Sequence, residues 1–112
     1  MNRSRIVRRL DSPLETVLPG VQRRVLAHSE QIMLVEHQFE AAALLPRHAH
    51  PHEQLVYVVF GRLRFTIADE PPFELSTGES FVILGNVAHE AVALEASVVL
   101  DCFTPARQDY LP

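Results

Sequence analysis

The clearest pattern in the chain is an alternation of polar and apolar side chains over residues 62–67, which read Arg-Leu-Arg-Phe-Thr-Ile. Successive side chains of an extended strand point to opposite faces. The stretch therefore predicts a half-buried strand with Leu63, Phe65 and Ile67 inward and its polar residues toward solvent.

Other short apolar runs, bounded by turn-forming residues, predict further strands. They cover residues 21–26, 32–39, 55–60, 73–75, 81–84, 89–94 and 97–103. With shorter pieces, the chain offers about eight to ten strands and no convincing helix of about ten or more residues. This arrangement favours an all-β sandwich or barrel.

Two stretches are expected outside the regular strands. Residues 11–20 are rich in turn-forming residues. Residues 40–45 are apolar and alanine-rich but are closely followed by Pro46, which favours a loop or an approach to a strand over a helix. His37 lies between polar neighbours and outside any cluster, and it is expected on the solvent side.

Length, charge and cysteine content restrict the class of protein. A chain of 112 residues, 47% of them hydrophobic, predicts a single folded domain. The net charge of −4 argues against nucleic-acid binding, and no apolar run is long enough for a membrane span or a secretory signal. The single cysteine, Cys102, excludes an intramolecular disulfide and fits a cytoplasmic protein with a buried, inert thiol.

Candidate chemistry is concentrated at residues 46–54, where His48, His50 and His52 fall within a short span. In an extended chain His48 and His50 share a face, and two neutral imidazoles facing the same way form half of a metal site. Gln54 has the same parity as these two histidines, although Pro51, which lies between His50 and Gln54, is expected to bend the chain. His52 either points the same way or swings out at the bend. The alternative is a solvated turn without a ligand.

Two motifs in the sequence resemble those of the cupin family. The first motif has two histidines two positions apart, a Glu or Gln four or five positions later, and then a glycine; here these are His48, His50, Gln54 and Gly61. The second motif has the spacing of Gly78, Leu84, Asn86 and His89, with leucine and asparagine in place of the family's proline and second glycine. The two substitutions concern turn geometry and leave the ligand positions intact.

The resemblance implies a double-stranded β-helix, the cupin or jelly-roll barrel, over residues 19–112, preceded by an N-terminal arm at residues 1–18. It also implies one divalent transition metal, with zinc, nickel, iron, manganese and copper all open, held by His48, His50, Gln54 and His89. An amide in place of the glutamate of many cupins leaves the ligand set uncharged, which suits an anionic, oxygen-rich ligand. Oxygen activation by two histidines and a carboxylate is less favoured. Glu53 could supply the carboxylate, but its strand parity is opposite to that of Gln54.

The C-terminal end is similar to a subgroup of small cupins that includes the pectin-degradation cupin. The shared pattern is an aspartate, a phenylalanine two positions later and an arginine four positions after that, here Asp101, Phe103 and Arg107. The resemblance implies conversion of 4,5-unsaturated uronates to linear keto sugars, with Asp101 moving a proton and Phe103 and Arg107 binding substrate. The structural alternatives are a strand-end carboxylate paired with an arginine, and a solvated arginine in the tail.

The sequence therefore favours an enzyme acting on a small anionic molecule, with uronate ring opening as the leading reaction. Two alternatives stay open: a cupin dioxygenase or isomerase of another metabolite, and a sugar- or metal-binding module without catalysis. We also expect a homodimer, because a chain this small buries a limited fraction of its surface and its N-terminal segment carries apolar residues beyond the barrel.

Overall fold

A computed structural model describes residues 4–112 and contains ten β-strands within that range. They are β1 (Glu15–Leu18), β2 (Val21–His28), β3 (Met33–Phe39), β4 (Leu44–His48), β5 (Glu53–Phe60), β6 (Arg62–Ile67), β7 (Phe73–Ser76), β8 (Ser80–Ile83), β9 (His89–Ala93) and β10 (Ser97–Thr104). Two short 3₁₀ turns, Arg9–Asp11 and Gln108–Tyr110, are the helical segments of this range. Neither they nor any other described segment is a helix long and apolar enough to span a membrane.

The strands form two antiparallel sheets that face each other across the core. The larger sheet has the order β1-β2-β3-β10-β5-β8, and the smaller has the order β4-β9-β6-β7. From β3 onward the chain passes repeatedly from one sheet to the other, which is the winding of a double-stranded β-helix. The all-β fold class and the barrel implied by the resemblance are confirmed.

The alternation over residues 62–67 places side chains as expected. In β6, Leu63 and Phe65 are buried, whereas Arg62 and Arg64 are exposed. The same period of two buries Val56 and Val58 of β5 in the same core. Burying an aliphatic or aromatic side chain of this kind contributes roughly 1.5–3 kcal/mol relative to leaving it in water.

The N-terminal region holds a strand that the sequence did not predict. Residues 11–20 were expected to be turn-rich, but Glu15–Leu18 pairs with β2 at the edge of the larger sheet. The expectation was wrong because hydrogen bonds to β2, not local composition, stabilise so short a strand. Residues 40–43, by contrast, form a turn that leads into β4, as expected for an approach to a strand.

The expected arm at residues 1–18 starts outside the described residues, which exclude 1–3. Within the described part, Arg9 donates from Nε and Nη2 to the Glu36 carboxylate at 2.6 and 3.1 Å, so the segment before β1 is tied to the outer face of β3. The boundary at residue 18 stays a prediction.

Strand β10 occupies the middle of the larger sheet, between β3 and β5, and carries a buried carboxylate. Its inward side chains are Val99, Asp101 and Phe103, all buried. Asp101 lies opposite Val35 of β3 and Val56 of β5 in the two ladders. A carboxylate in such surroundings is costly unless it is hydrogen-bonded, so its partners indicate where the barrel is polar inside.

Candidate metal centre

Strand pairing and the following turn bring three histidines together. His48, the last residue of β4, is paired with His89, the first residue of β9. His50 lies two residues beyond β4, in the turn that contains Pro51. The donor atoms of the three side chains all lie within 4.8 Å of one another. The three rings therefore face one shared position, in the way that ligands of a single cation do.

The three imidazoles share one hydrogen-bonding arrangement. The Nδ1 atoms of His48, His50 and His89 lie 2.9, 3.1 and 2.9 Å from backbone carbonyl oxygens of Pro46, His52 and Val87. A carbonyl oxygen only accepts, so each Nδ1 carries the proton and each neutral ring keeps a lone pair on Nε2.

One of these Nε2 atoms has no partner within the described chain. His89 Nε2 is buried and makes no hydrogen bond to any described residue. A buried polar atom without a partner is costly, and a bound cation would satisfy it. Hydrogen bonding of the other ring nitrogen to a backbone carbonyl is typical of metal-ligating histidines. The residues present therefore fit a divalent metal ion.

The environment keeps the His50 and His89 rings neutral. Burial lowers the pKa of His50 from its usual 6.5 to about 4, and the nearby Arg107 guanidinium acts in the same direction. Burial is also the main cause that lowers the pKa of His89. Both rings are therefore uncharged at neutral pH, which is the form that binds a metal.

Two backbone contacts hold the His50 turn against the loop that leads to His89. The Asn86 N–H donates to the His50 carbonyl oxygen at 2.7 Å. Next to it, a side chain on Gly85 would place its Cβ 2.5 Å from the Pro51 carbonyl oxygen, so only glycine permits this approach. Asn86, in place of the family's glycine, has a φ of 66°, a left-handed conformation that asparagine tolerates. The substituted turn thus still aligns the two segments.

Gln54, the second residue of β5, extends the cluster toward β10. Its Oε1 lies 3.1 Å from His50 Nε2, and its Nε2 donates to Asp101 Oδ1 at 2.7 Å. A carboxylate only accepts hydrogen bonds, so the amide nitrogen must face Asp101 and the amide oxygen must face the histidines. Asp101 therefore orients the predicted fourth ligand. Glu53, the preceding residue, is exposed, in keeping with its opposite parity.

His37 belongs to this network, and its expected place on the solvent side is wrong. It is 8% exposed, and its Nδ1 lies 2.6 Å from Asp101 Oδ2. The sequence feature that indicates an inward His37 is its parity with Val35 and Phe39, which are buried on the inward face of β3. The polar neighbour Glu36 was misleading, because Arg9 from the N-terminal segment covers its carboxylate.

The predicted substrate-binding residues line the same interior. Phe103 is fully buried, with its ring centroid 5.7 Å from that of His50. Arg107 is also buried, and it donates from Nε and Nη2 to the Asp109 carboxylate at 3.0 and 2.8 Å. Its Nη1 is buried and has no partner in the described chain. His52, whose orientation the sequence left open, packs its ring against Phe103 and stays outside the three-histidine cluster.

The cluster opens to solvent through two adjoining cavities. The inner one, of about 40 Å³, is lined by His48, His89 and Gln54 together with Asp101 and other inward residues. The outer one, of about 310 Å³, shares His37, His48 and Arg107 with the inner one and forms the mouth of the barrel. A larger cavity of about 510 Å³ lies between the N-terminal segment, β2 and the C-terminal tail, and none of the three clustered histidines lines it. The mouth, and not this larger cavity, leads to the candidate site.

Comparisons with known proteins agree with this geometry. A family model described as a cupin domain matches residues 35–102. The pectin degradation protein KdgF of Dickeya dadantii (strain 3937) is 33% identical over 103 residues, which cover 90% of this chain and 93% of that protein.

Solved structures are similar over almost the whole chain. The structure of KdgF from Halomonas sp. superposes with a TM-score of 0.91 at 35% identity, covering 97% of this chain and all of that one. An RmlC-like cupin from Shewanella frigidimarina NCIMB 400 has a TM-score of 0.90 at 29% identity, covering 97% of each chain.

Proposed function

This chain belongs to the cupin family, and on that premise we propose that it is a metal-dependent enzyme that converts 4,5-unsaturated uronates to linear keto sugars. The observation that carries the proposal is the position of Asp101, one amide group away from the three-histidine cluster, in a cavity with an arginine-lined mouth. The similarity of this chain to a protein named for pectin degradation supports the choice of substrate class.

His48, His50, His89 and Gln54 would hold one divalent cation. Histidine nitrogens suit zinc, nickel, copper and iron, and manganese also accepts an amide oxygen, so the donor set leaves the metal open. Bound there, the cation would act as a Lewis acid that polarises the sugar oxygens. The uncharged ligands leave it fully positive, and the absence of a carboxylate among these four residues disfavours the two-histidine-one-carboxylate arrangement of oxygen-activating iron sites.

The protein's own contribution to the chemistry is proton transfer by Asp101. The anomeric hydroxyl at C1 loses its proton, and the bond between C1 and the ring oxygen breaks. The electrons of that bond remain on the ring oxygen, so an aldehyde forms at C1 and an enolate at C5. Protonation of C4 then converts the enolate to a ketone. Asp101 would accept the first proton and return it to C4, while His37 and Gln54 hold its carboxylate in place.

The mouth of the barrel suits an anionic sugar. Its volume of about 310 Å³ is at the lower end of the usual range for small-molecule sites. Arg23, Arg47 and Arg107 line it, and no acidic side chain lines it within the described residues. Phe103 provides an apolar wall below it, and Arg107 keeps Nη1 free for a ligand oxygen. These features support the predicted substrate-binding roles of Phe103 and Arg107.

The direct test is loss of the ultraviolet absorbance of an unsaturated uronate on addition of the metal-loaded protein. We expect a rate above the slow uncatalysed decay, and loss of that rate after metal removal by a chelator. A metal-loaded protein that binds the uronate but does not exceed the uncatalysed rate would contradict the proposed reaction and favour a binding module. Oxygen consumption by the iron-loaded protein would instead indicate a dioxygenase.

We also propose that the protein is a cytoplasmic homodimer. The outward side chains of β5 are Leu55, Tyr57 and Val59, all exposed, and Leu55 lies beside the exposed Val82 of β8. Apolar side chains on both faces are typical of strands that are covered on both sides. Contiguous exposed apolar patches of this kind mark interaction surfaces on soluble proteins.

A second copy of the chain is the expected cover for this patch. Light scattering at micromolar concentration should therefore give twice the mass of the chain. Replacing Tyr57 by glutamate should shift the protein toward the monomer, because a charge would then be buried in the interface. Arg64→Gln, on the exposed face of the smaller sheet, serves as the control and should leave the dimer intact. A monomer mass for the unmodified protein would exclude this assembly.

A further inference from the structure

Arg23 of β2 stands out among the arginines at the mouth because it has no acidic partner in the described chain. Arg47 pairs with Glu90 at 3.3 Å, and Arg107 pairs with Asp109 at 2.8 Å. Arg23 makes no side-chain hydrogen bond or ion pair with any described residue. Its guanidinium instead lies on the Tyr110 ring, with Cζ 3.7 Å from the ring centroid. Stacking of this kind orients the group but leaves its N–H donors available.

Strand parity explains why Arg23 and its neighbour Arg24 differ. Arg23 shares parity with the fully buried Val21, so it lies on the barrel side of β2 and lines the mouth together with His48. Arg24 points the other way, where Nη1 donates to the Ser12 carbonyl oxygen at 2.7 Å and Nε lies 3.6 Å from Glu36. Only the first of these two adjacent arginines therefore faces the candidate site.

The second guanidinium at Tyr110 belongs to Arg107, whose Cζ lies 4.2 Å from the ring centroid. Its Nε and one N–H of Nη2 already bind the Asp109 carboxylate, and its Nη1 is buried without a partner. The protein itself therefore supplies Arg107 with a counter-charge, which weakens its attraction for a second carboxylate. Arg23 is the arginine of the mouth that forms no ion pair with the described residues.

We infer that Arg23 binds the carboxylate of the anionic sugar at the mouth, with the Tyr110 ring as its platform and Arg107 Nη1 adding a further contact. This assignment rests on the proposed function in that it takes a uronate as the ligand of the site. It makes Arg23 a specificity-determining residue, since a neutral sugar of the same shape would leave the Arg23 guanidinium without a counter-charge.

The test uses galacturonate, a saturated uronate that lacks the C4–C5 double bond, and galactose, its neutral counterpart. Binding of each sugar to the metal-loaded protein is measured by calorimetry. Arg23→Gln should weaken galacturonate binding about tenfold or more, the loss expected for a charge-assisted contact, and should leave galactose binding unchanged. Arg23→Lys should recover part of the loss because it keeps the charge but not the fork.

Arg64→Gln is the matched control for loss of one positive charge, since Arg64 is exposed on the smaller sheet and faces Glu74 at 3.7 Å. Metal content and the melting temperature of Arg23→Gln should equal those of the unmodified protein, which separates a binding role from a structural one. In turnover of the unsaturated uronate, Arg23→Gln should raise KM while kcat stays within about twofold.

The outcomes separate this inference from the proposed function. Galacturonate binding that depends on Arg23, in a protein that does not turn over the unsaturated uronate, would sustain the inference and overturn the reaction. Equal galacturonate affinity in Arg23→Gln and the unmodified protein would overturn the inference, even if turnover is observed. Absence of any galacturonate binding by the unmodified protein would also overturn it.

Discussion

Replacing Asp101 by asparagine should lower kcat for the unsaturated uronate by at least about a hundredfold, the range in which a general acid–base residue contributes. Asparagine has nearly the same shape but cannot take up a proton at neutral pH. The measurement is the loss of ultraviolet absorbance under saturating substrate, with metal content determined on the same samples. Metal content and galacturonate binding should stay unchanged.

The hydrogen-bond network explains why the Asp101→Asn variant should keep its metal. The introduced amide can turn its oxygen to the Gln54 amide nitrogen and its NH₂ group to His37 Nδ1, the two positions now bonded to the carboxylate at 2.7 and 2.6 Å. His37 would then carry its proton on Nε2, which a neutral imidazole permits. The Gln54 oxygen would keep facing the histidines.

Asp101→Ala is the contrasting variant. It removes the acceptor that orients the Gln54 amide, so it should lower metal affinity as well as turnover. A kcat for Asp101→Asn within about threefold of the unmodified value would show that Asp101 is not the proton-transferring group. Equal metal loss in the asparagine and alanine variants would instead show that the carboxylate acts through Gln54 alone.

Replacing His50 by alanine should abolish the stabilisation that a divalent metal confers on the folded protein. A ligand that binds only the folded state at about a hundredfold excess over its Kd stabilises that state by about 2.7 kcal/mol. For a domain of this size, such a change corresponds to roughly 10–20 °C in Tm. The unmodified protein should therefore melt at a higher temperature with metal than after chelation, and His50→Ala should show little difference between the two conditions.

His28→Ala is the control for this experiment, because His28 lies at the end of β2, outside the three-histidine cluster. Its metal content and metal-dependent rise in Tm should match those of the unmodified protein. Elemental analysis after dialysis should find one metal per chain in the control and a clear deficit in His50→Ala. One tightly held metal per chain in both variants would place the metal elsewhere.

Local patterns in the sequence were sufficient for much of the fold. The alternation over residues 62–67 predicted β6 with its buried and exposed faces, because side-chain direction in a strand depends only on neighbouring positions. Parity likewise placed Glu53 on the face opposite to Gln54, whereas the inward position of Gln54 was implied by the family motif, because the bend expected at Pro51 interrupts the strand phase. β1 was missed because its four residues are held by pairing with β2, and composition carries no signal of that pairing.

The sequence also singled out His48, His50, Gln54 and His89, but through the spacing of two family motifs, which says nothing about distance in space. Pairing of β4 with β9 places His48 against His89, and the bond from Asn86 to His50 draws in the third ring. Register between strands about forty residues apart depends on the packing of both sheets, so the sequence alone could not determine it.

The tertiary structure alone decided the surroundings of these ligands. It joined His37 to Asp101, paired Arg107 with Asp109, and left Arg23 stacked on Tyr110 without an ion pair among the described residues. Two of these relations, that of His37 with Asp101 and that of Arg23 with Tyr110, join side chains from distant segments of the chain. The chain sequence determines which residues take part, but only their positions in the folded barrel determine which of them pair with each other and which remain available for a ligand.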